Sequence, residues 1–326
     1  MDKRSLTEVP DLKKMILELL VQIPEGMVTS YRDIAEALGD GSAARAVGTV
    51  MSNNDEPERY PCWRVVRSTG EVGKYSGSGG RDEKIGKMRD EGIEVEDGKI
   101  NNFSEVRYDE FDVDPPLPRL RRLQNKLEEM VEIKPIDPVG SVSGVDVSYG
   151  QAGVVAAYVE MDDRGEEILY RKTFRKDGVK FPYIPGYLAF RELPFMDELM
   201  KRVQEDRGFS DVVFVDGNGL LHPRRAGLAT HLGVVLDHPT IGIAKKLLCG
   251  EVKGDSPDEG EQREVRLAGD RIGLEIKTFN RANPIYVSIG NRIKLVQAGD
   301  LTGKISTYKL PEPLRQAHKT AKDKAT

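Results

Sequence analysis

The sequence predicts an α/β protein of two domains, a small N-terminal helix-turn-helix domain followed by a larger mixed-sheet domain. Three observations lead there. Helical periodicity dominates the first hundred residues, alternating or continuous apolar runs dominate the rest, and Tyr108-Asp109-Glu110-Phe111-Asp112-Val113-Asp114-Pro115-Pro116, acidic and then proline-blocked, lies between them. The expected organisation is a domain over residues 1–106, a linker over 107–116 and a second domain over 117–326. With 326 residues, one core is not expected to serve the whole chain.

The elements follow in order. Leu12, Met15, Ile16, Leu19 and Leu20 recur at three- and four-residue spacings, one face of a helix that stops at Pro24-Glu25-Gly26. Ser30 with Asp33 three residues on is a capping signal, opening a helix through Ile34 and Leu38 that ends at Gly39. A second helix begins near Ser42 and carries Ala43, Ala44, Val47 and Val50, which completes a helix-turn-helix across Gly39-Asp40-Gly41. Beyond the linker, Val145 and Val147 alternate with Asp146 and Ser148, and strands are expected from Gly153 to Met161 and from Glu167 to Phe174 in an antiparallel meander. A helix is expected from about Leu193 to Val203. Val212-Val213-Phe214-Val215, ended by Asp216-Gly217, reads as a strand buried on both faces, and Thr240 to Ala244 and Ile285 to Val287 repeat that style.

Bulk properties bound the function. A net charge of -5 disfavours a simple electrostatic DNA binder, so local basic clusters such as Arg119, Arg121 and Arg122, or Lys245 and Lys246, must carry any phosphate contacts. Two distant cysteines provide neither a disulfide framework nor zinc-site spacing, which points to a reducing compartment. With no signal-type N-terminus and no long apolar run, a cytoplasmic protein without membrane partners is expected. The glycines of Gly39-Asp40-Gly41 and Ser76-Gly77-Ser78-Gly79-Gly80 lack the strand-to-helix setting of a nucleotide loop, so no small-molecule cofactor is expected.

Asp146 lies within an apolar strand, Glu192 opens a helix and Asp216 ends the most buried strand. Carboxylates in such places are costly unless a cation compensates them, and Mg²⁺ is satisfied by carboxylate oxygens, water and phosphate. Spacing alone leaves a second reading open for each, as a strand-end or cap residue. The words around them narrow the choice. Gly144-Val145-Asp146-Val147-Ser148-Tyr149, the run from Pro182 to Glu192, Asp216-Gly217-Asn218-Gly219 with His222-Pro223-Arg224, Gly242-Ile243-Ala244-Lys245 and Leu310-Pro311-Glu312-Pro313-Leu314-Arg315 occur in the order seen in the endonuclease V family, which this stretch resembles from about Pro118 to His318. The resemblance implies a ribonuclease-H-like fold, with Mg²⁺ or Mn²⁺ on Asp146, Glu192 and Asp216, Lys245 steadying the attacked phosphate or nucleophile, and His222 near the metal. It also implies cleavage of DNA near deaminated bases, above all deoxyinosine, at the second phosphodiester bond on the 3′ side. Pro182-Tyr183-Ile184-Pro185 looks like the family's wedge, a stiff loop able to enter a base stack, though a proline-flanked structural turn is an alternative. Asn218 and Asn291 stand where many members carry histidine.

In the N-terminal domain, Pro61-Cys62-Trp63-Arg64-Val65-Val66 and Gly73-Lys74-Tyr75-Ser76-Gly77, with Thr29-Ser30-Tyr31, Ala44-Arg45-Ala46-Val47-Gly48, Asn54 and Glu91-Gly92, resemble the DNA-binding domain of O6-alkylguanine-DNA alkyltransferases. The resemblance implies Cys62 as irreversible alkyl acceptor, Arg45 as the finger that replaces a flipped base, Tyr31 on a backbone phosphate, and Tyr75 and Ser76 on the guanine, with Asn54 and Arg64 completing the lesion-binding set. The implied partner is DNA with deaminated or alkylated bases. One departure stands out. The family's Pro-Cys-His-Arg has Trp63 at the histidine position, and an indole cannot accept a proton. Thiolate formation then depends on helix dipoles, Arg64 or another base, and a non-catalytic damage-binding module is the competing reading.

Overall fold

In the computed structural model, which describes residues 6–326, contacts divide the chain into two units. One holds Pro10–Arg121 and Val179–Pro185, and the other holds the described residues up to Val9, Arg122–Gly178 and Gly186–Thr326.

The smaller unit begins with α1 (Leu12–Val21), whose Leu12, Ile16, Leu19 and Leu20 are buried as their spacing predicts. A two-residue strand, β1 (Thr29–Ser30), leads into α2 (Tyr31–Ala37). Both halves of the capping box form: Asp33 N donates to Ser30 Oγ at 3.1 Å and Ser30 N donates to the Asp33 carboxylate at 3.0 Å. A 3-10 turn over Gly41–Ala43 precedes α3 (Ala44–Ser52), so the second helix of the motif starts two residues later than Ser42. β2 (Val65–Val66) pairs with β1 in parallel directly after a 3-10 turn over Cys62–Arg64. α4 (Gly80–Asp90) and the hairpin β3 (Val95–Glu96) and β4 (Lys99–Ile100) close the unit over a core that includes Val28, Trp63, Val66 and Met88.

The stretch expected as a linker is strapped to this unit by its polar groups. Tyr108 N donates to Val28 O at 2.7 Å, Arg107 grips the Asp33 carboxylate at 2.6 and 3.2 Å, and Asp112 exchanges two backbone bonds with the Gln22 amide. Its end is already helical, because α5 spans Pro116–Glu129 and Pro at a first helical position has no donor to waste.

The larger unit is built on one eight-stranded sheet. β5 (Ser141–Gly150), β6 (Gly153–Asp162) and β7 (Ile168–Lys176) form the expected antiparallel meander. α6 (Leu188–Asp206) begins five residues before the expected Leu193 and keeps Pro194 inside it. β8 (Val212–Asp216), α7 (Leu228–Leu236) and β9 (Thr240–Ala244) follow, then β10 (Gln262–Leu267), β11 (Asp270–Ile276) and β12 (Ile285–Asn291), with α8 (Leu295–Lys304) and α9 (Glu312–Ala325) at the end. The strand order is β10-β11-β12-β9-β8-β5-β6-β7, with β5, β8 and β9 mutually parallel. Of these, β8 and β9 are continuous apolar runs, covered on both faces as central parallel strands require. Among the described residues, no helix is long and apolar enough to cross a membrane.

Glycine controls how closely α9 approaches the sheet. A Cβ on Gly144 would lie 2.4 Å from the backbone of Pro313 and Leu314, so only glycine admits the helix at that height on β5. Gly144→Ala is expected to destabilise this unit by about 1–3 kcal/mol, because backbone and not a movable side chain would be struck. Chemical denaturation of the variant beside the wild type measures it, and unchanged stability would refute the close packing.

Candidate active sites

Sheet register assembles the first site. β5 and β8 run parallel with Val145 opposite Val215, so Asp146 and Asp216 are the next positions on neighbouring strands, about 4.8 Å apart along the sheet. α9 delivers His318, whose Nδ1 lies 2.7 Å from Asp146 Oδ2. Ligand atoms of Asp146, Asp216 and His318 all fall within 4.8 Å of one another, a group able to hold a metal ion.

Glu192, one turn into α6, faces the same charges. Burial first, then Asp146 and Asp216, push its pKa up to about 8. The Tyr149 hydroxyl donates to Glu192 Oε1 at 3.5 Å, and the Arg191 guanidinium lies 4.4 Å from the Tyr149 ring centre. Burial and Asp146 raise the Asp216 pKa as well, against the pull of Lys245, which donates to Asp216 Oδ2 at 2.6 Å. Burial opposes the charge on Lys245, and Asp216, ahead of Asp146 and Glu192, more than restores it. The bond to Asp146, ahead of the opposing effect of burial, raises the His318 pKa. Three carboxylates therefore crowd one buried spot with too little positive charge to balance them. That donor set fits a hard divalent cation, whose charge would offset the repulsion among the acids.

His222, named from sequence as a site residue near the metal, lies against Gly186 and Arg224. Its Nε2 lies 3.2 Å from Gly186 O and its Nδ1 accepts from Arg224 N at 3.1 Å, while burial and then Arg224 push its pKa down to about 4. Both ring nitrogens are committed, and the imidazole is a neutral strut. Arg224 is likewise drawn in, donating to Gln124 Oε1 and Gly186 O at 2.6 Å each. Asn291 bridges Gly233 O and Glu132 N, so that departure from the family pattern is also structural. Within the expected wedge, Pro182 and Ile184 are buried while Tyr183 and Pro185 are exposed.

In the smaller unit, Cys62 is buried on its 3-10 turn and Trp63 beside it is turned into the core. Trp63 Nε1 donates to Glu91 Oε1 at 2.8 Å. Arg64, named from sequence in the lesion-binding set, holds both Glu91 oxygens at 2.9 Å and donates to Ile23 O at 2.6 Å. Asn54 braces the loop before Cys62, donating to Tyr60 O at 2.9 Å and accepting from Glu56 N at 3.2 Å. Arg45 and Ser76 are exposed and Tyr31 is half-buried. Burial, and secondarily Cys62, raise the Tyr31 pKa and push that of Tyr75 up to about 12. The Tyr75 hydroxyl is buried without a hydrogen-bond partner.

The family model for endonuclease V matches residues 121–319. The chain belongs to the endonuclease V family. Joined to that domain, residues 11–93 match the family model for the DNA-binding domain of 6-O-methylguanine DNA methyltransferase. A bifunctional methyltransferase/endonuclease of Picrophilus torridus is 38% identical over 308 residues, spanning 94% of this chain and 95% of that one. Its counterpart in Thermoplasma volcanium is 39% identical over 94% of this chain and 88% of its own length. Among solved structures, the catalytic domain of human endonuclease V is 30% identical with a TM-score of 0.59, covering 64% of this chain and 96% of that one. The two motif sets thus correspond to two domains of recognised kinds in one chain.

Of the residues that the endonuclease V site brings together, Asp146, Glu192, Asp216 and Lys245 were named from sequence and His318 was not. A lone histidine in the middle of a polar helix carries no signal of its own. Its position one helical turn beyond Leu314, the residue packed on Gly144, is the clue that the fold supplies.

The raised Glu192 pKa sets a pH dependence. Between its ordinary value of 4.5 and about 8, the folded protein keeps a proton that the unfolded chain has released, so metal-free stability falls as pH rises through that window. Glu192→Gln removes the titration, and its melting temperature in EDTA is expected to exceed that of the wild type by a margin that grows from pH 5 to pH 8. The slope difference is at most about 1.4 kcal/mol per pH unit. Parallel stability curves would mean that Glu192 does not carry the repulsion.

Proposed function

We propose that the endonuclease V unit nicks DNA at the second phosphodiester bond 3′ to deoxyinosine and related deaminated bases, using Mg²⁺ or Mn²⁺ held by Asp146, Glu192 and Asp216. The observation that carries this reading is the meeting of Asp146, Asp216 and His318 within 4.8 Å of one another, with Lys245 on Asp216 and with Glu192 near enough that both aspartates oppose its ionisation. A cation bound there would supply a nucleophile at neutral pH and offset charge developing on the phosphate. The residues prepare the ground. Asp146 and Asp216 are fixed by strand register, His318 orients Asp146 through its hydrogen bond, and Lys245 presents a permanent positive charge beside Asp216 for a phosphate oxygen. Tyr183, exposed between two prolines, is the ring available to enter a base stack.

The smaller unit, in the same proposal, transfers alkyl groups from O6-alkylguanine to Cys62. Exposed Arg45 is placed to fill the gap left by a flipped base, and Tyr75 and Ser76 to meet the guanine. Tyr31 and Arg67 line a groove with Arg32, Ser42 and Thr69 in which a phosphate backbone would meet cations and hydroxyls. A second reading has its own observation behind it: Trp63 occupies Glu91, leaving no histidine to relay a proton, as a damage-binding module without chemistry would have it.

An inosine-containing duplex with Mg²⁺ is expected to be cut by the wild type and spared in EDTA. His318→Ala should slow cutting by about 10- to 100-fold, the range for a partner that orients a ligand, and Asp216→Asn by more. Cutting by Asp216→Asn at the wild-type rate would end the nuclease assignment. For the other unit, incubation with O6-methylguanine DNA should add one methyl to the intact protein by mass spectrometry and none to Cys62→Ala. Retained DNA binding with unchanged mass would favour the damage-binding module.

A further inference from the structure

Tyr308 is an aromatic ring that the fold fixes in place and leaves bare. It is 52% exposed. The Arg315 guanidinium lies over the ring, 5.3 Å from its centre, and Phe279 meets it edge-on with ring centres 6.2 Å apart. A single exposed aromatic is common on any protein surface and needs no explanation. This one differs in how firmly its neighbours are held. Arg315 donates to both oxygens of Glu312 at 2.6 Å each, and Glu312 N donates to Ile305 O at 3.1 Å. Thr278 Oγ1 donates to Lys309 O at 2.8 Å, which ties the loop bearing Phe279 to the segment bearing Tyr308. A flat surface organised in advance loses little freedom when a ligand settles on it.

Position and charge identify the ligand. Arg315 and His318 are three residues apart on α9 and so are neighbours on one helix face, and His318 Nδ1 lies 2.7 Å from Asp146 Oδ2. The ring is therefore reached from the carboxylate site through two adjacent side chains of one helix. Lys277 and Arg281 flank Phe279, Lys309 follows Tyr308, and neither Lys277 to Pro284 nor Leu301 to Pro311 contains an Asp or Glu. In a chain with a net charge of -5, two such stretches tied together beside an aromatic ring suit a polyanion that carries flat groups. The next acid in sequence, Glu312, has both oxygens engaged by Arg315.

We propose that Tyr308, backed by Arg315, is a stacking platform for an unpaired base of the substrate strand beside the scissile phosphate. The proposal rests on the nuclease reading of the carboxylate site. Every base has a π-face, so the platform accepts any of the four, and the guanidinium over the ring adds a cation–π contribution to the stack. A base held there cannot restack in the duplex, so the phosphate next to it stays presented to Asp146 and Asp216. The wedge and the platform then divide the work: Tyr183 enters the stack at the lesion, and Tyr308 receives a base nearer the cut.

The test uses the full chain and an inosine-containing duplex in which 2-aminopurine replaces one base at a time at the three positions 3′ to the deoxyinosine. Binding and probe fluorescence are read in the Asp216→Asn background, so that the strand outlasts the measurement, and cutting is read in the otherwise wild-type chain. At one of the three positions the bound probe is expected to be quenched when Tyr308 is present and to brighten in Tyr308→Ala. Tyr308→Phe should quench as Tyr308 does, because the ring and not the hydroxyl makes the stack. Tyr308→Ala should weaken binding by about 5- to 150-fold, the range for loss of one base–aromatic stack. Melting temperatures check that each variant folds, and if Tyr308→Ala does not, Tyr308→Leu, which fills the space without a π-face, decides in its place. Equal probe signals at every position with and without the ring overturn the proposal, even if affinity falls. Quenching by Tyr308 in a chain that never cuts the inosine strand retires the nuclease reading and leaves the platform in place.

Discussion

Like charge gathered in a dry place is the constraint on which the larger unit depends. Asp146 and Asp216 are adjacent because β5 and β8 are adjacent in parallel register, and Glu192 is added from α6. Burial raises the cost of ionising Glu192 and Asp216, Asp146 adds to it for both, and Asp216 adds to it for Glu192. In a medium of low polarity this repulsion is large, and protons, cationic neighbours or a divalent ion must relieve it. Lys245 and His318 relieve part of it, one for Asp216 and one for Asp146.

The remaining architecture holds that arrangement in tension. Burying the apolar runs of β8 and β9 on both faces stabilises the centre of the sheet, and the acidic residue falls at the strand end where the apolar run gives out. α9 reaches β5 at Gly144, and the same helix places His318 against Asp146 four residues after Leu314. At the end of the strand a Cβ on Gly150 would lie 2.1 Å from Ala325 O, so glycine admits the helix at two heights on β5. Loss of either close approach would act on the site through the angle of a helix and not through a ligand.

Much of this was legible in the sequence, and what was missed has physical causes. Period-two alternation around Asp146 and the continuous run before Asp216 identify strands because side-chain direction in a strand is fixed by position alone. The Ser30 and Asp33 capping box is legible for the same reason, being local in sequence. Partners that come from afar leave no such mark. His222 carries the family's wording yet spends both nitrogens on Gly186 and Arg224, whereas His318, 172 residues from Asp146, makes the contact that matters. The segment expected as a free linker is an edge strap because Asp33 and Gln22, distant in sequence, offer it partners. α6 extends five residues farther toward its N-terminus than periodicity shows, since Tyr187, Ala189 and Phe190 are buried by tertiary packing that no local pattern records.

The smaller unit shows how one substitution redistributes a proton pathway. An indole at position 63 keeps the hydrogen bond to Glu91 that an imidazole could also make, and so preserves the shape of the turn beneath Cys62. It cannot pass a proton onward, and Arg64 closes the acid off entirely. The turn is therefore rigid and electrically saturated on its Glu91 side. Lys84 donates to the carbonyl of Val65, the residue that caps the turn, and the Tyr75 hydroxyl is buried without a hydrogen-bond partner. Burial is the first cause of both of their shifts, down to about 8 for Lys84 and up to about 12 for Tyr75, because each carries a polar end into an apolar place with at most one hydrogen bond to compensate it.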